Sequence, residues 1–419
     1  MSDSEESGEF PMMRKPVVLG RPPLIRQTNA QLLLRLLREK GPCSKADLVR
    51  ASGLSAPSVT NVVTTLISTG LVEAVGEGDS TGGRPPDILR FKAEHGCVAG
   101  VEITRDTLRF LLADLNGREL AHSEIPIARS RSTPQRICQQ ISKEVRNLLR
   151  ARKLKGNQLA TLTVGVPAIV NVDEGTVVAL SALQNWNNVA LGPMLIRELK
   201  CRVVVDNDTN LAAAGEFHRG AAKGERDFVF VTIGEGVGAG IFLGGRIHRG
   251  SSWSAGEIGY LRVPAVSRKH PAIHTYGELE KTLSTSGILK SWRSSQSPKI
   301  RRRVSSAAEV WDLAGAGNAQ AQRILQQRAA ILADAILDLA LILNPSVILL
   351  GGEVGNHPVL LHEVEAVLQG SEFPVVRVAL GMLGSSAVLW GAVSSAVEPA
   401  IQNFSRQRGH PSPTSHSGS

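Results

Sequence analysis

The chain has 419 residues, 42% hydrophobic and 20% charged, and its 47 Lys and Arg exceed its 38 Asp and Glu to give a formal net charge of +9 and a pI near 9.6. That composition supports cores for two or three domains and excludes a fibrous or wholly disordered chain. A membrane span is excluded as well, because the nearest candidate, Ile331 to Leu343, is interrupted by Asp334 and Asp338.

Asp3, Glu5, Glu6 and Glu9 precede any basic residue, the reverse of a secretory signal, so a cytoplasmic protein is expected. Cys43, Cys97, Cys138 and Cys201 are far apart and form no C-x-x-C pair, as expected of reduced structural thiols. The basic balance fits a nucleic-acid partner and equally a basic enzyme.

Residues 1–24 and 403–419 are polar, without periodicity, and are expected to be disordered tails. A capping-box spacing at Thr28 to Gln31 opens a helix with Leu32, Leu33, Leu36 and Leu37 on one face, stopped by Gly41-Pro42. Ser44 caps a second short helix, and Ser55 with Pro57 starts a third, a helix-turn-helix spacing. In the third helix Val59, Val62 and Leu66 face inward and leave short polar side chains outward. Gly70 to Val75 and Ile88 to Phe91 form a hairpin with Gly82-Gly83-Arg84-Pro85-Pro86 at its tip, a wing whose arginine suits a narrow minor groove. The expected unit is a winged helix-turn-helix DNA-binding domain over 25–92, contacting double-stranded operator DNA through Ser44, Ser55, Ser58, Thr60, Asn61, Thr64, Thr65 and Arg84. A protein-interaction module with the same three helices and hairpin is the alternative.

From Cys97 the pattern changes. Val98 to Ile103 and Leu108 to Leu115 are paired strands, and a helix follows through Ile137, Ile141, Val145 and Leu148. Thr161 to Pro167 is a central strand, and Leu191 to Leu199 is a helix. Val203 to Asp206 is a β-branched strand that gives way at Asn207-Asp208 to an alanine-rich helix, so Asp208 either faces a cleft or caps the helix. Two glycine-rich segments, Gly234 to Gly240 and Gly351-Gly352, each follow a strand, which implies close backbone approach to a ligand or a tight turn.

Three segments together resemble the ROK family of repressors and sugar kinases: Val205 to Ala213, Gly234 to Gly259 with its Ala255-Gly256-Glu257-Ile258-Gly259, and Asn344 to Gly352. The resemblance covers about residues 25–400 and implies an α/β protein with an actin-like, hexokinase-like (ribonuclease H-like) two-lobed domain over 96–400. The N-terminal winged helix resembles the transcriptional-regulator branch. By resemblance Asn207, Asp208, Glu257, Glu280, Gly165 and Pro167 surround a sugar, and Asp208 matches the kinase base. Carboxylates suit this because each accepts hydrogen bonds from adjacent hydroxyls.

The departures from the kinases are local. Their Asp-x-Gly-Gly-Thr phosphate turn corresponds here to Glu102 to Asp106, without glycine, and their Gly-Thr-Gly corresponds to Gly234-Glu235-Gly236, which adds a carboxylate. The family zinc histidine corresponds to Tyr260, and Arg268 to Glu280 holds no cysteine; His270 and His274 are separated by Pro271 and make an incomplete site. No metal, no ATP and no catalytic residue are therefore expected. The expected protein is a homodimeric or homotetrameric repressor of carbohydrate genes, released or retained by a sugar or sugar phosphate. An active sugar kinase with a regulatory domain, and a repressor controlled by a protein partner, are the alternatives. The basic run Lys299 to Arg303 is expected to be a solvated loop.

Overall fold

The computed structural model describes residues 22–77, 86–128, 132–179, 186–262, 277–296, 303–370 and 376–406. Two compact units divide the chain, one of residues 1–92 with 405–419 and one from Ala93 to Phe404.

The first unit comprises α1 (Pro22–Lys40), β1 (Cys43–Ser44), α2 (Lys45–Ser52), α3 (Ala56–Ser68), β2 (Val72–Glu77) and β3 (Asp87–Phe91). Helix α1 begins at Pro22, six residues before Thr28 (28 − 22), because prolines fit the first turn of a helix, where amides have no partner. Its buried face is Leu33, Leu34 and Leu37, and Leu32 is exposed. Ser44 and Asp47 form a reciprocal capping box on α2, which Gly53 ends in the left-handed region at φ 68°. Ser55 caps α3, whose Val59, Val62, Val63 and Leu66 are buried. Strand β3 lies between β1 and β2; β1 has only two residues, too few to show a period. Glu73 on β2 pairs with Arg90 on β3 and with Lys92 at 3.0 Å. The wing tip, including Arg84, lies outside the described residues, as do His270, His274 and Lys299 to Arg302.

The second unit has two lobes. The first contains β4 (Cys97–Ile103), β5 (Thr107–Asp114), β6 (Glu119–Pro126), α4 (Pro134–Ala151), β7 (Leu159–Val166), β8 (Ile169–Asn171), β9 (Thr176–Ala179), α5 (Leu191–Leu199) and β10 (Arg202–Asn207), followed by α6 (Asp208–Arg219). Its sheet runs β10-β7-β4-β5-β6, with β4, β7 and β10 parallel. Strand β6 escapes sequence reading because it is an edge strand that alternates exposed and half-buried side chains. The second lobe contains β11 (Phe228–Ile233), β12 (Val237–Leu243), β13 (Arg246–Ile247), α7 (Glu278–Leu283), α8 (Thr285–Ser295), α9 (Ala307–Gly315), α10 (Ala319–Leu343), β14 (Val347–Gly351), α11 (Gly352–Gly355), α12 (Pro358–Gln369), β15 (Arg377–Leu380) and α13 (Ala387–Arg406). Its sheet order is β13-β12-β11-β14-β15.

Each sheet buries its own cluster, with Phe110, Leu162 and Trp186 in the first lobe and Trp292, Trp311 and Ile336 in the second. Register places Asp206 opposite Gly165 and Asn207 opposite Val166, so the carboxyl ends of β10 and β7 open on one crevice. Helix α6 is pressed against α13: a Cβ on Gly391 would stand 1.7 Å from the Leu211 carbonyl oxygen, and one on Gly215 2.3 Å from that of Ala387. This close crossing fixes where α6 starts, and with it the position of Asp208. No helix among the described residues is long and apolar enough to cross a membrane.

Candidate functional site

Two surfaces carry the chemistry. On α3, Thr60, Asn61, Thr64 and Thr65 are exposed and Ser58 is half-buried, opposite the Val and Leu face. The Thr64 and Thr65 hydroxyls donate to the carbonyls of Thr60 (2.9 Å) and Asn61 (3.1 Å), which leaves their oxygens the capacity to accept. Ser55 and Ser58 share a 2.8 Å hydroxyl contact at the start of α3. Ser44 requires a correction. Its side chain is buried, its hydroxyl donates to Asp47 at 2.6 Å, and its oxygen accepts the Asp47 amide, so its hydroxyl is taken up as a helix cap.

The second surface is a cavity of about 380 Å3 in the second unit, lined among others by Glu102, Pro167, Asn207, Asp208, Glu257 and Glu280. Asn207 is the helix cap: its Oδ1 accepts the Asn210 amide at 3.0 Å and its Nδ2 donates to the Ala168 carbonyl at 3.1 Å, so its amide is fixed in orientation on the cavity wall. That division of labour frees Asp208. Its Oδ1 accepts from the Thr209 amide at 2.7 Å, and burial, reinforced by Glu257, pushes its carboxyl up to about 7. Glu257 leads into the single turn Ile258–Tyr260, and burial, then Glu280, raises it to about 7. Glu280 is raised by burial too, opposed by hydrogen bonds from the backbone of Gly277 and Val237. Glu102 reaches about 7 through burial despite the Arg109 guanidinium at 2.7 Å.

Gly165 needs a second correction. It is absent from the cavity lining, and a Cβ there would meet Val388 at 2.8 Å and Leu211 at 3.0 Å. It lets β7 pass under α6 and α13 and touches no ligand space. Pro167 does line the cavity.

Several contacts at this site escape sequence reading. Asp206 is 5% exposed at its side chain and pairs with Arg249 at 2.5 Å while accepting the Asn207 amide at 2.9 Å, tying the end of β10 to the segment that carries Glu257. Arg249 lies in a segment already singled out, and alternation along β10 turns Asp206 to the opposite face from its neighbour Asn207. Arg105, in the β4–β5 turn, reaches Glu235 in the β11–β12 turn at 3.2 Å, 130 residues away. The β4–β5 turn is self-contained: the amides of Thr104, Asp106 and Thr107 donate to the Thr107 carbonyl, the Thr104 hydroxyl and the Thr104 hydroxyl. Trp253 and Tyr260 also line the cavity. Among the described residues no cluster of three His, Cys, Asp or Glu side chains could hold a metal ion.

The model of the ROK family matches residues 98–398, and that of the MarR family matches residues 28–74. The xylose repressor of Bacillus spizizenii is 23% identical over 363 residues, covering 86% of this chain and 92% of that protein. The DNA-binding transcriptional dual regulator NagC of Escherichia coli K12 is 25% identical over 375 residues, covering 88% and 91%. Among solved structures, a ROK family transcriptional regulator described as a homolog of the E. coli MLC protein superposes with a TM-score of 0.75 at 25% identity, covering 91% of this chain and 98% of that one. The ROK hexokinase of Thermus thermophilus gives 0.59 at 25% identity and covers 72% of this chain and 99% of that one. With a winged helix before a two-lobed domain and a match to the family over the whole of that domain, the chain belongs to the ROK family.

Proposed function

We propose that this protein is a DNA-binding transcriptional repressor of carbohydrate genes, acting in the cytoplasm, whose second unit senses a sugar and no longer transfers phosphate. The observation that carries the reading is the contrast between the two ends of one cavity. At the sugar end Asp208, Glu257 and Glu280 stand as acceptors, and no Lys or Arg offsets the burial of Asp208 or Glu257. At the phosphate end the protein's own groups pair with each other: Arg105 with Glu235, and a turn whose threonines consume its amides.

Neither ATP nor zinc fits these residues. A phosphate cradle requires free amides and cations; here the Thr104–Thr107 turn has three amides engaged internally, and Arg105 and Arg109 are each matched by a carboxylate. Structural zinc sites are built from histidine nitrogen and cysteine thiolate, and the position of the family histidine presents the Tyr260 phenol. The same charge balance favours an uncharged sugar over a sugar phosphate, whose dianion would face the acidic groups Asp208, Glu257 and Glu280. Hexose-dependent ATP consumption is expected to stay at background, and Glu235→Thr is expected not to restore it, because the turn keeps its amides. Turnover abolished by Asp208→Asn would instead establish the kinase.

The resemblance to the xylose repressor and NagC supports regulation at DNA, and the mechanism proposed with it is control by linkage in a homodimer or homotetramer. Sugar closes the two lobes, the closed form holds paired winged helices at a spacing that mismatches the operator, and DNA affinity falls by the difference in binding energy between the two states. The test is a fluorescence-anisotropy titration of the intergenic DNA beside the gene, at two salt concentrations, with a panel of free sugars and sugar phosphates. Specific binding weakened by one free sugar is the expected result. Specific binding that no sugar alters would keep the repressor and remove the sensor in favour of a protein partner, and no specific binding would remove both.

A further inference from the structure

Three of the chain's five tryptophans are core residues: Trp186, Trp292 and Trp311 are at most 2% exposed. Trp390 carries the Arg219 guanidinium over its ring at 4.2 Å. Trp253 differs from all four. It is half-buried, it lines the cavity that holds Asp208 and Glu257, and among the described residues no ring or guanidinium packs on it and its indole N–H donates to no protein group. Its backbone is also unusual, since φ is +59°, the left-handed region that a bulky residue avoids and glycine takes freely.

The surroundings hold that conformation in place. Gly250 (φ 71°) and Gly256 (φ 90°) flank it, the Ala255 amide donates to the Arg249 carbonyl at 3.2 Å, the Ala239 amide donates to the Gly256 carbonyl at 2.7 Å, and Arg249 is anchored on Asp206. A strained backbone kept by surrounding constraints directs attention to what the side chain does there. A glycine would fit this backbone with less strain, and core packing does not account for the indole. What the cavity does contain is a ring of acceptors suited to hydroxyls, and a sugar ring is polar at its edge and apolar on its C–H faces.

We propose that Trp253 is the aromatic platform of this cavity, covering one C–H face of a cyclic sugar while Asp208 and Glu257 accept its hydroxyls, and that it sets the preference for a ring over an open-chain polyol. The proposal rests on the sugar-sensor reading and adds a specificity-determining residue to it. The flat indole suits a ring with an uninterrupted C–H face; sorbitol offers equivalent hydroxyls without that face.

The experiment is a calorimetric and intrinsic-fluorescence titration of the full chain with D-glucose, D-xylose, N-acetyl-D-glucosamine and D-sorbitol, for wild type, Trp253→Phe and Trp253→Gly, with thermal melts of each. The expected result is that one ring sugar binds at least about tenfold tighter than sorbitol and changes the tryptophan emission. Trp253→Phe should retain binding within about threefold and lose the emission change, and Trp253→Gly should weaken the sugar about tenfold or more, with the ring preference gone. Trp253→Gly should also melt within a few degrees of wild type, since it removes strain with the side chain. A ring sugar that binds Trp253→Gly as tightly as wild type would overturn the platform and leave the sensor standing. A large drop in the melting temperature of Trp253→Gly, with unchanged affinity ratios, would assign the side chain to packing. If no sugar in the panel binds the wild type, the sensor reading fails, and the platform fails with it.

Discussion

Replacing Asp208 by Asn is expected to cut sugar affinity by about 10- to 150-fold while leaving operator binding of the sugar-free protein unchanged. A hydrogen bond to a charged group is worth roughly 1.5–3 kcal/mol, and asparagine keeps the shape of the side chain but offers one acceptor where the carboxylate offers two. Helix α6 should survive the change because its cap is Asn207, through the Asn210 amide. The pH dependence of stability follows from the same group. Asp208 and Glu257 are both raised, from ordinary values of 3.8 and 4.5 to about 7, and burial is the first cause in each. In the sugar-free protein a raised carboxyl contributes stability that is fully present below about pH 4 and is lost as pH rises through about 7, because the unfolded chain ionises first and the fold disfavours the buried charge. The melting temperature of wild type should therefore fall between pH 5 and pH 7.5. That slope should be smaller in Asp208→Asn and not zero, since Glu257 and Glu102 shift in the same direction. Sugar hydroxyls stabilise the ionised carboxylates, so binding near pH 6.5 should release protons, measured by calorimetry in buffers of different ionisation enthalpy. A pH-independent melt would overturn the raised carboxyls, and an Asp208→Asn variant that binds sugar as wild type does would remove Asp208 from the sugar contact.

Alanine at Asn61 or Thr64 should weaken specific operator binding by about 5- to 150-fold each, the expected loss of roughly 1–3 kcal/mol per base contact, and leave non-specific binding and its salt dependence in place. Both side chains are exposed on α3, away from Val59, Val63 and Leu66, so neither change should affect folding. Helix α3 carries no Lys or Arg, and phosphate attraction must come from elsewhere. The sequence offers Arg84 on the wing: Arg84→Ala should lower affinity for all DNA sequences and reduce the slope of log affinity against log salt by about one. Equal losses on specific and random DNA from Asn61→Ala would place that residue on the phosphates instead of the bases.

Much of this fold was legible in the chain because its signals are short-range. A capping serine acts within three residues, a proline fixes its own φ, and an apolar period of helix or strand repeats within a turn or two, so α2, α3, α5 and the strand before Asp208 stand close to their expected positions. Where the local signal is weak the sequence misleads: the spacing at Thr28 imitates a helix start inside α1, and β6 alternates polar side chains at a sheet edge. The glycine segments and the Asn207-Asp208 junction were likewise legible, since strand-to-helix junctions at carboxyl ends are a property of α/β sheets in general.

Tertiary structure alone decided which neighbour of Asp208 does what. Asp208 reads as cap or ligand contact, and only the packing of α6 against α13 and the register of β10 on β7 gave the cap to Asn207 and left the Asp208 carboxyl to the cavity that both residues line. Gly165 resembled a site residue and is a spacer, because what it touches comes from Leu211 and Val388, far along the chain. Arg105 and Glu235 are unremarkable charges until two turns 130 residues apart are brought within 3.2 Å. The sequence determined the parts and the kind of chemistry they carry, because propensity, capping and period are local properties. The choice between binding, spacing and self-pairing belongs to groups that meet only after the sheets have set their register.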